Sequence, residues 1–292
     1  MYYNYDNAIN ELRSTGYGSA GFHVVSSPAF YLGKQIPNKK VLYRNDTQEY
    51  LNLVSSKYRV VEHHQMIDTL RDIIEASNLN TNGIQEEITT DTKGSKCFVK
   101  YTLPSHKIIT PDQDTADLTF LGVNSFDGTF AFYLSVGARQ SACMNGQVFT
   151  SGAATLYKSR HCPALSLDKG SELLQNGVNV LDNENHKWHI WSKTSLEDPR
   201  DAYNMFAKAA GFRNLTDYLS SEKSSKAFDY MRKQYYEIYR PRLGTNYWAV
   251  YNSLTDWSTH AEGTKKSNNL TLLKMRRASK VAETLKEFPL AA

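Results

Sequence analysis

Residues 118–149 constrain the fold more than any other part of the chain. Two apolar, aromatic runs flank Asn124-Ser125-Phe126-Asp127-Gly128. Asp-Gly supplies the positive φ that a tight turn needs, and the flanking runs have strand composition. The stretch therefore predicts a β-hairpin and a β-sheet core. Arg139 then leads into a second turn, Cys143-Met144-Asn145-Gly146. No catalytic triad, metal spacing or phosphate loop stands among these residues.

The rest of the chain is read outward from that hairpin. Residues 1–27 read as an adaptable leader, with Gly16, Gly18 and Gly21 among serines and tyrosines. Strand signals begin near Lys39. Val41 to Arg44 and Tyr50 to Val54 flank the polar turn Asn45-Asp46-Thr47-Gln48, which predicts a basic hairpin. From Glu62 to Ser77 the period changes: Met66, Ile67, Leu70, Ile73 and Ile74 recur at helical spacing. Ile84 to Thr90 and Cys97 to Leu103 read as strands, the second stopped by Pro104. Residues 151–195 read as connecting structure, with a helix expected around 169–176 and a strand over His186 to Trp191. From residue 196 to 287 the pattern is helical. Glu197-Asp198-Pro199 suits a helix start and Gly211 an end. Ser225 to Arg240 is expected to stop at Pro241, Thr245 to His260 forms another helix, and a last one runs from about Asn269 to Lys286. The layout predicts an α+β fold: an antiparallel, β-rich part over 28–150, then a mainly helical C-terminal third, within a single domain over 28–292.

Composition narrows the class. The 292 residues are 40% apolar and 22% charged, as expected of a globular chain. No run approaches the length of a membrane span, and Met1-Tyr-Tyr-Asn-Tyr-Asp has neither a basic nor an apolar signal region, so a cytoplasmic location is expected. Cys97, Cys143 and Cys162 fit no zinc motif and no disulfide framework, so no metal or other cofactor is expected. Net charge is +4, unevenly spread. Residues 31–60 hold six Lys/Arg against two Asp/Glu, residues 61–130 hold five against eleven, and residues 222–292 hold thirteen against seven. Two basic regions bracket an acidic one, which can build a positive face for a polyanion.

Candidate chemistry is sparse. His63 and His64 are adjacent, so on a helix they diverge by about 100° and are expected at the surface. Asp112, Asp114 and Asp117 lack the spacing of a calcium loop and read as a solvated acidic loop. Asn252, Asp256 and His260 share a helix face and read as a polar network tying that helix to the sheet. No catalytic residue is assigned, and the chain is not expected to be an enzyme.

Single-strand binding needs a cationic track and flat rings on which bases stack. The 19 tyrosines often lie beside Lys or Arg. Lys39, Lys40, Tyr43, Arg44, Lys57, Tyr58 and Arg59 form one such set. Lys158 and Arg160 follow, and Arg232, Lys233, Tyr236, Arg240 and Arg242 form another. Lys265 and Lys266 stand in a basic loop. Arg139 can grip a phosphate through its planar fork or pair with a carboxylate. Tyr43, Tyr58 and Tyr236 are the rings expected to stack.

Three motifs in order carry a resemblance. Lys40 to Thr47 with Leu51 to Val61, then Asn124 to Gly128 with Arg139 and Cys143 to Gly146, then Gly244 to His260, together resemble the phage and plasmid-like protein family, a domain of unknown function. Coverage runs from about residue 28 to 285. The resemblance extends to early single-stranded-DNA-binding transcription regulators of the Drc kind, from podophages with a giant virion RNA polymerase. It implies a phage protein that binds single-stranded DNA with little sequence preference, in phage transcription or replication, with a phage RNA polymerase or replication proteins as further partners, and cooperative coating of a strand would favour a homo-oligomer. The rival readings are a strand-annealing recombination protein, a protein-interaction module for a phage or host polymerase, and a metal-dependent nuclease built on residues 112–117.

Overall fold

The computed structural model describes residues 13–77, 79–130, 132–140, 146–147, 155–159, 167–222, 224–262 and 270–289. The fold is α+β, with antiparallel sheets in the N-terminal and central parts and helices in the C-terminal part. The chain divides into two compact units. One comprises residues 1–106, 118–136 and 155–178, and the other residues 107–117, 137–154 and 179–292.

The first unit contains a three-stranded antiparallel sheet of order β1-β2-β3, formed by β1 (Val24–Tyr31), β2 (Lys34–Arg44) and β3 (Tyr50–Ser55). The expected hairpin over 41–54 is thus present, but the sheet begins at Val24 rather than near Lys39. Part of the segment read as a leader is also tied down. Tyr17 donates its hydroxyl to Asp68 at 2.8 Å, and Arg71 donates to the Gly16 carbonyl at 2.9 Å. Arg71 is 1% exposed and forks onto Glu86 at 3.0 and 2.6 Å, so each buried charge answers the other.

Helix α1 (His63–Ala76) buries Met66, Ile67, Leu70, Ile73 and Ile74, the residues whose spacing predicted it. Glu62 and Gln65 close its start as a reciprocal capping box. A second sheet has the order β4-β5-β6-β7-β8, with β9 on β7. Its strands are β4 (Gln85–Thr90), β5 (Lys96–Ile109), β6 (Thr115–Ser125), β7 (Phe132–Gln140), β8 (Gly146–Gln147) and β9 (Thr155–Ser159). Pro104 does not end β5. Pairing with β4 reaches only Thr102, so proline's missing N–H costs that ladder nothing.

The Asn124–Gly128 turn explains its own sequence. Asn124 donates to the Val61 carbonyl at 2.7 Å. Ser125 Oγ accepts from Phe130 N–H and donates to Phe130 O, both at 3.0 Å. Phe126 is fully buried with Phe22, Leu42, Leu51 and Val54. Asp127 pairs with Lys96 and accepts from Thr129 N–H, and Gly128 takes φ +75°.

Among the described helices of the second unit are α3 (Pro199–Ala210), α4 (Leu215–Leu219), α5 (Lys226–Gln234), α6 (Arg240–Leu243), α7 (Tyr247–His260) and α8 (Leu270–Leu285). They follow α2 (Leu167–Lys193), a 27-residue helix that overturns the expected strand over His186 to Trp191. Leu174, Gly177, Glu184, Trp188 and Trp191 are its buried positions among the described residues, and their spacing is helical. Asp198 caps α3 by accepting from Arg200 N–H, and Gly211 ends it at φ 102°, as the sequence predicted. Helix α7 is the axis of this unit: every residue from Trp248 to Ser258 is buried. Trp248 stacks on Tyr251 at 5.2 Å between ring centroids, and Trp191 lies 5.2 Å from Tyr251.

Pro241 does not stop the helix it follows. Residues Tyr235–Tyr239 widen into a π turn, and the Arg240 N–H bonds to the Tyr235 carbonyl five residues back. The wider turn relieves the clash that proline makes with the carbonyl four residues before it.

Candidate nucleic-acid interface

The expected nucleic-acid residues fall in both units, so each group is taken by itself. In the first unit β2 alternates cleanly. Leu42 is fully buried, so Lys39, Val41 and Tyr43 take the opposite, outward face. Val25 pairs with Tyr43 and Leu53 with Val41, placing them on that face too. Tyr50 sits opposite Tyr43, past a bulge in β3, and is 51% exposed. The outward face therefore carries two tyrosines on neighbouring strands and Lys39 at one end.

The β1–β2 turn extends this surface. Phe30, Tyr31 and Leu32 are 61%, 70% and 85% exposed, and Lys34 follows at once. Leu32 and Gly33 hold the two-residue turn with φ 48° and 75°. Lys34, Lys39, Lys57 and Arg59 are exposed and Lys40 is half-buried. Among the described residues none of these five pairs with a carboxylate. Unpaired cations beside exposed rings can hold a phosphate backbone and stack its bases.

Two expected members of this group are occupied elsewhere. Arg44 forks onto Asp46 at 2.9 and 2.7 Å, and its guanidinium lies 3.8 Å from the centre of the Phe22 ring. That pairing holds the exposed Asp46 carboxyl down at about 2. Tyr58 packs against the Phe22–Phe126 cluster, and its hydroxyl donates to the Ser125 carbonyl at 3.3 Å. Burial raises its phenol well above the ordinary value. Arg44 and Tyr58 are architectural residues, and neither presents a free cation or ring to a strand. Lys158 lies in β9 opposite Tyr133, and Arg139 in β7 opposite Gly146. Arg160, Lys265 and Lys266 lie outside the described residues, as do Cys143 and Cys162.

The expected surface placement of His63 is also corrected. It is 1% exposed, donating through Nε2 to the Gly94 carbonyl at 2.9 Å and accepting at Nδ1 from the Asn124 amide at 3.1 Å. Those roles need the neutral ring, and burial pushes its pKa down to about 4. Phe126 packs 4.2 Å from it, centroid to centroid.

In the second unit the helical group is largely self-satisfied. Tyr236, 43% exposed, stacks on Tyr203 with centroids 6.0 Å apart, and the Arg240 guanidinium covers it at 5.3 Å. Arg240 also donates to Thr245 Oγ1 at 3.2 Å. Arg242 pairs with Asp112 at 2.7 Å and lies over the Tyr239 ring. Lys233 lies 3.9 Å from Glu237, both exposed, and Arg232 is exposed. The Asn252–Asp256–His260 face is structural, but Asn252 bonds within its own helix and Asp256 to the neighbouring helical segments that carry Tyr230 and Tyr239, which corrects the expected tie to the sheet. Asn252 is fully buried and donates to the Trp248 carbonyl at 2.9 Å. Asp256 accepts from Tyr230 and Tyr239, each at 2.7 Å, and lies 3.5 Å from His260. Burial alone would raise its carboxyl, but hydrogen bonds from His260, Tyr230 and Tyr239 outweigh burial and hold it below its ordinary value.

The fold and this surface define an α+β protein with a basic, aromatic hairpin standing off a small antiparallel sheet. Residues 50–280 match the family model described as Domain of unknown function (DUF932), and the chain belongs to that family. No curated protein and no solved structure matches it. Sequence reasoning missed Phe30, Tyr31, Lys34 and Tyr50. The signal for the first three was present in Phe30-Tyr-Leu-Gly-Lys34, a glycine turn between aromatic and basic residues, but it lay ahead of the point where strands were expected.

Proposed function

We propose that this chain is a phage protein that binds single-stranded DNA with little sequence preference, in phage transcription regulation or DNA replication. The carrying observation is the β1–β2 hairpin and its sheet. Phe30, Tyr31, Tyr43 and Tyr50 offer rings, while Lys34, Lys39, Lys57 and Arg59, with the half-buried Lys40 on the face of Leu42, offer cations that pair with no carboxylate among the described residues. Stacking contributes about 1–3 kcal/mol per base whatever the base, and phosphate contacts add a salt-dependent affinity without sequence preference. The reading assigns no catalytic step. It places the protein in the host cytoplasm, where a homo-oligomer would coat a strand alongside a phage RNA polymerase or replication proteins. Among the described residues no helix is long and apolar enough to cross a membrane.

Fluorescence anisotropy with labelled oligonucleotides tests this reading. Single strands should bind tighter than duplex, and affinity should fall steeply from roughly 50 to 200 mM salt. Equal affinity for duplex, or indifference to salt, would refute it. Mixing complementary strands separates coating from annealing, since an annealer accelerates pairing. A second reading has its own observation: Leu32 at the hairpin tip is 85% exposed and suits a protein partner. A nuclease-resistant pull-down of a polymerase, with no oligonucleotide shift, would favour that interaction module.

A further inference from the structure

We infer that His23, Glu62 and His64 form a binding site for a divalent transition-metal ion of the zinc class. The three side chains come from two places in the first unit. His23 immediately precedes β1, Glu62 caps α1, and His64 lies in its first turn. His23 Nδ1 lies 3.5 Å and His64 Nδ1 3.6 Å from Glu62 Oε2, and the three ligand atoms lie within 4.8 Å of one another. Ligands about 2.0–2.2 Å from a tetrahedral ion stand roughly 3.3–3.6 Å apart, so both separations to the carboxylate suit one shared ion. Two imidazoles and a carboxylate are also the donor set that zinc and its first-row neighbours take, with positions left for water.

The surroundings hold these atoms in place. The His23 backbone is bonded on both sides by Asn45, its N–H to Asn45 Oδ1 at 3.2 Å and its carbonyl to Asn45 N–H at 3.0 Å. Glu62 Oε1 accepts from Val24 N–H at 3.1 Å, and the Glu62 backbone N–H donates to Gln65 Oε1 at 3.1 Å. Among the described residues Glu62 Oε2 is buried without a hydrogen-bond partner, although a carboxylate oxygen in that position needs one. A metal ion would satisfy it. The His23 and His64 rings meet edge to face at 5.1 Å, and Tyr17 packs 5.6 Å from His64. The positive end of α1 opposes a cation here, but only on the scale of a surface charge effect. The adjacent His63 takes no part. It points into the core, which is how neighbouring histidines on one helix come to have separate roles.

The site is tested with the metal alone. The full chain, stripped with EDTA, is titrated with Co²⁺ followed by visible absorption and with Zn²⁺ followed by calorimetry. One ion per chain should bind, and Zn²⁺ should raise the unfolding temperature. His23→Ala alters a side chain that is 65% exposed and should leave the metal-free fold unchanged. It should weaken binding at least about 100-fold, beyond what loss of an outer-shell partner does. His64→Gln, read the same way, should give a comparable loss. Absence of stoichiometric binding, or affinity unchanged in both variants, would overturn the assignment.

Discussion

The β1–β2 hairpin and the helical segment around Tyr236 have nearly the same composition, tyrosines beside lysines and arginines, and opposite availability. In the hairpin the rings project and the lysines meet no carboxylate among the described residues. Around Tyr236 one tyrosine already stacks on another, one arginine already covers a ring, and the next already holds Asp112. Within the first unit the same contrast separates Lys39 from Arg44. A basic, aromatic sequence therefore names groups that could hold a nucleic acid, while the fold decides which still have that capacity unspent.

The largest effect should come from the hairpin rings. Phe30→Ala with Tyr31→Ala removes two stacking platforms, and affinity for labelled oligothymidine should fall on the order of 100-fold, about 3 kcal/mol. A loss under about threefold would erase the contrast.

Acid should separate the two units almost as strongly. His63 has its folded pKa lowered to about 4 from 6.5. Its stabilisation is therefore complete above the unfolded value of 6.5 and declines as pH falls towards 4, by up to roughly 3 kcal/mol. Asp256 also has a lowered folded pKa, so its contribution declines only as pH falls below the ordinary carboxylate range. Hydrogen exchange in EDTA should show α1 and the 124–130 turn opening at pH 5, before α7 does. Simultaneous opening would contradict this assignment.

Arg44→Ala should act through folding. Losing its place over Phe22 should lower unfolding stability by roughly 1–2 kcal/mol, with little direct loss of affinity in the folded fraction. Lys34→Ala with Lys39→Ala should do the reverse. Stability should hold, and the slope of log affinity against log salt should become shallower by about 1.4, as for two lost single-strand phosphate contacts. The smallest effect should be Tyr236→Ala, under about threefold in affinity, because its faces are already covered. A tenfold loss would move the interface to the helical unit.

Much of this fold was legible where one local signal governs one element. Asp127-Gly128 announced its hairpin, the five apolar residues of α1 its helix, and Asp198 and Gly211 the ends of α3. Legibility failed where distant packing decides. Trp188 and Trp191 are good strand residues, yet their burial against Tyr251 and Phe288 belongs to α2. Pro104 and Pro241 looked like stops, but one lies beyond the β4 ladder and the other follows a π turn. His63 looked exposed because its partners, Gly94 and Asn124, are 31 and 61 residues away. Arg44 looked free because nothing local places Phe22 beneath it. The His23–Glu62–His64 cluster was missed for the same reason, since His23 is far from Glu62 and His64 in the chain.

The π turn before Pro241 also fixes a phase. It accommodates one residue more than a regular coil of the same length, and that surplus turns everything after it by about 100°. Shortening Tyr235–Tyr239 by a single residue would restore an ordinary helix and swing Arg242 off Asp112. The chain is thus one deletion away from a different arrangement of its C-terminal arginines, with no change to any of their identities.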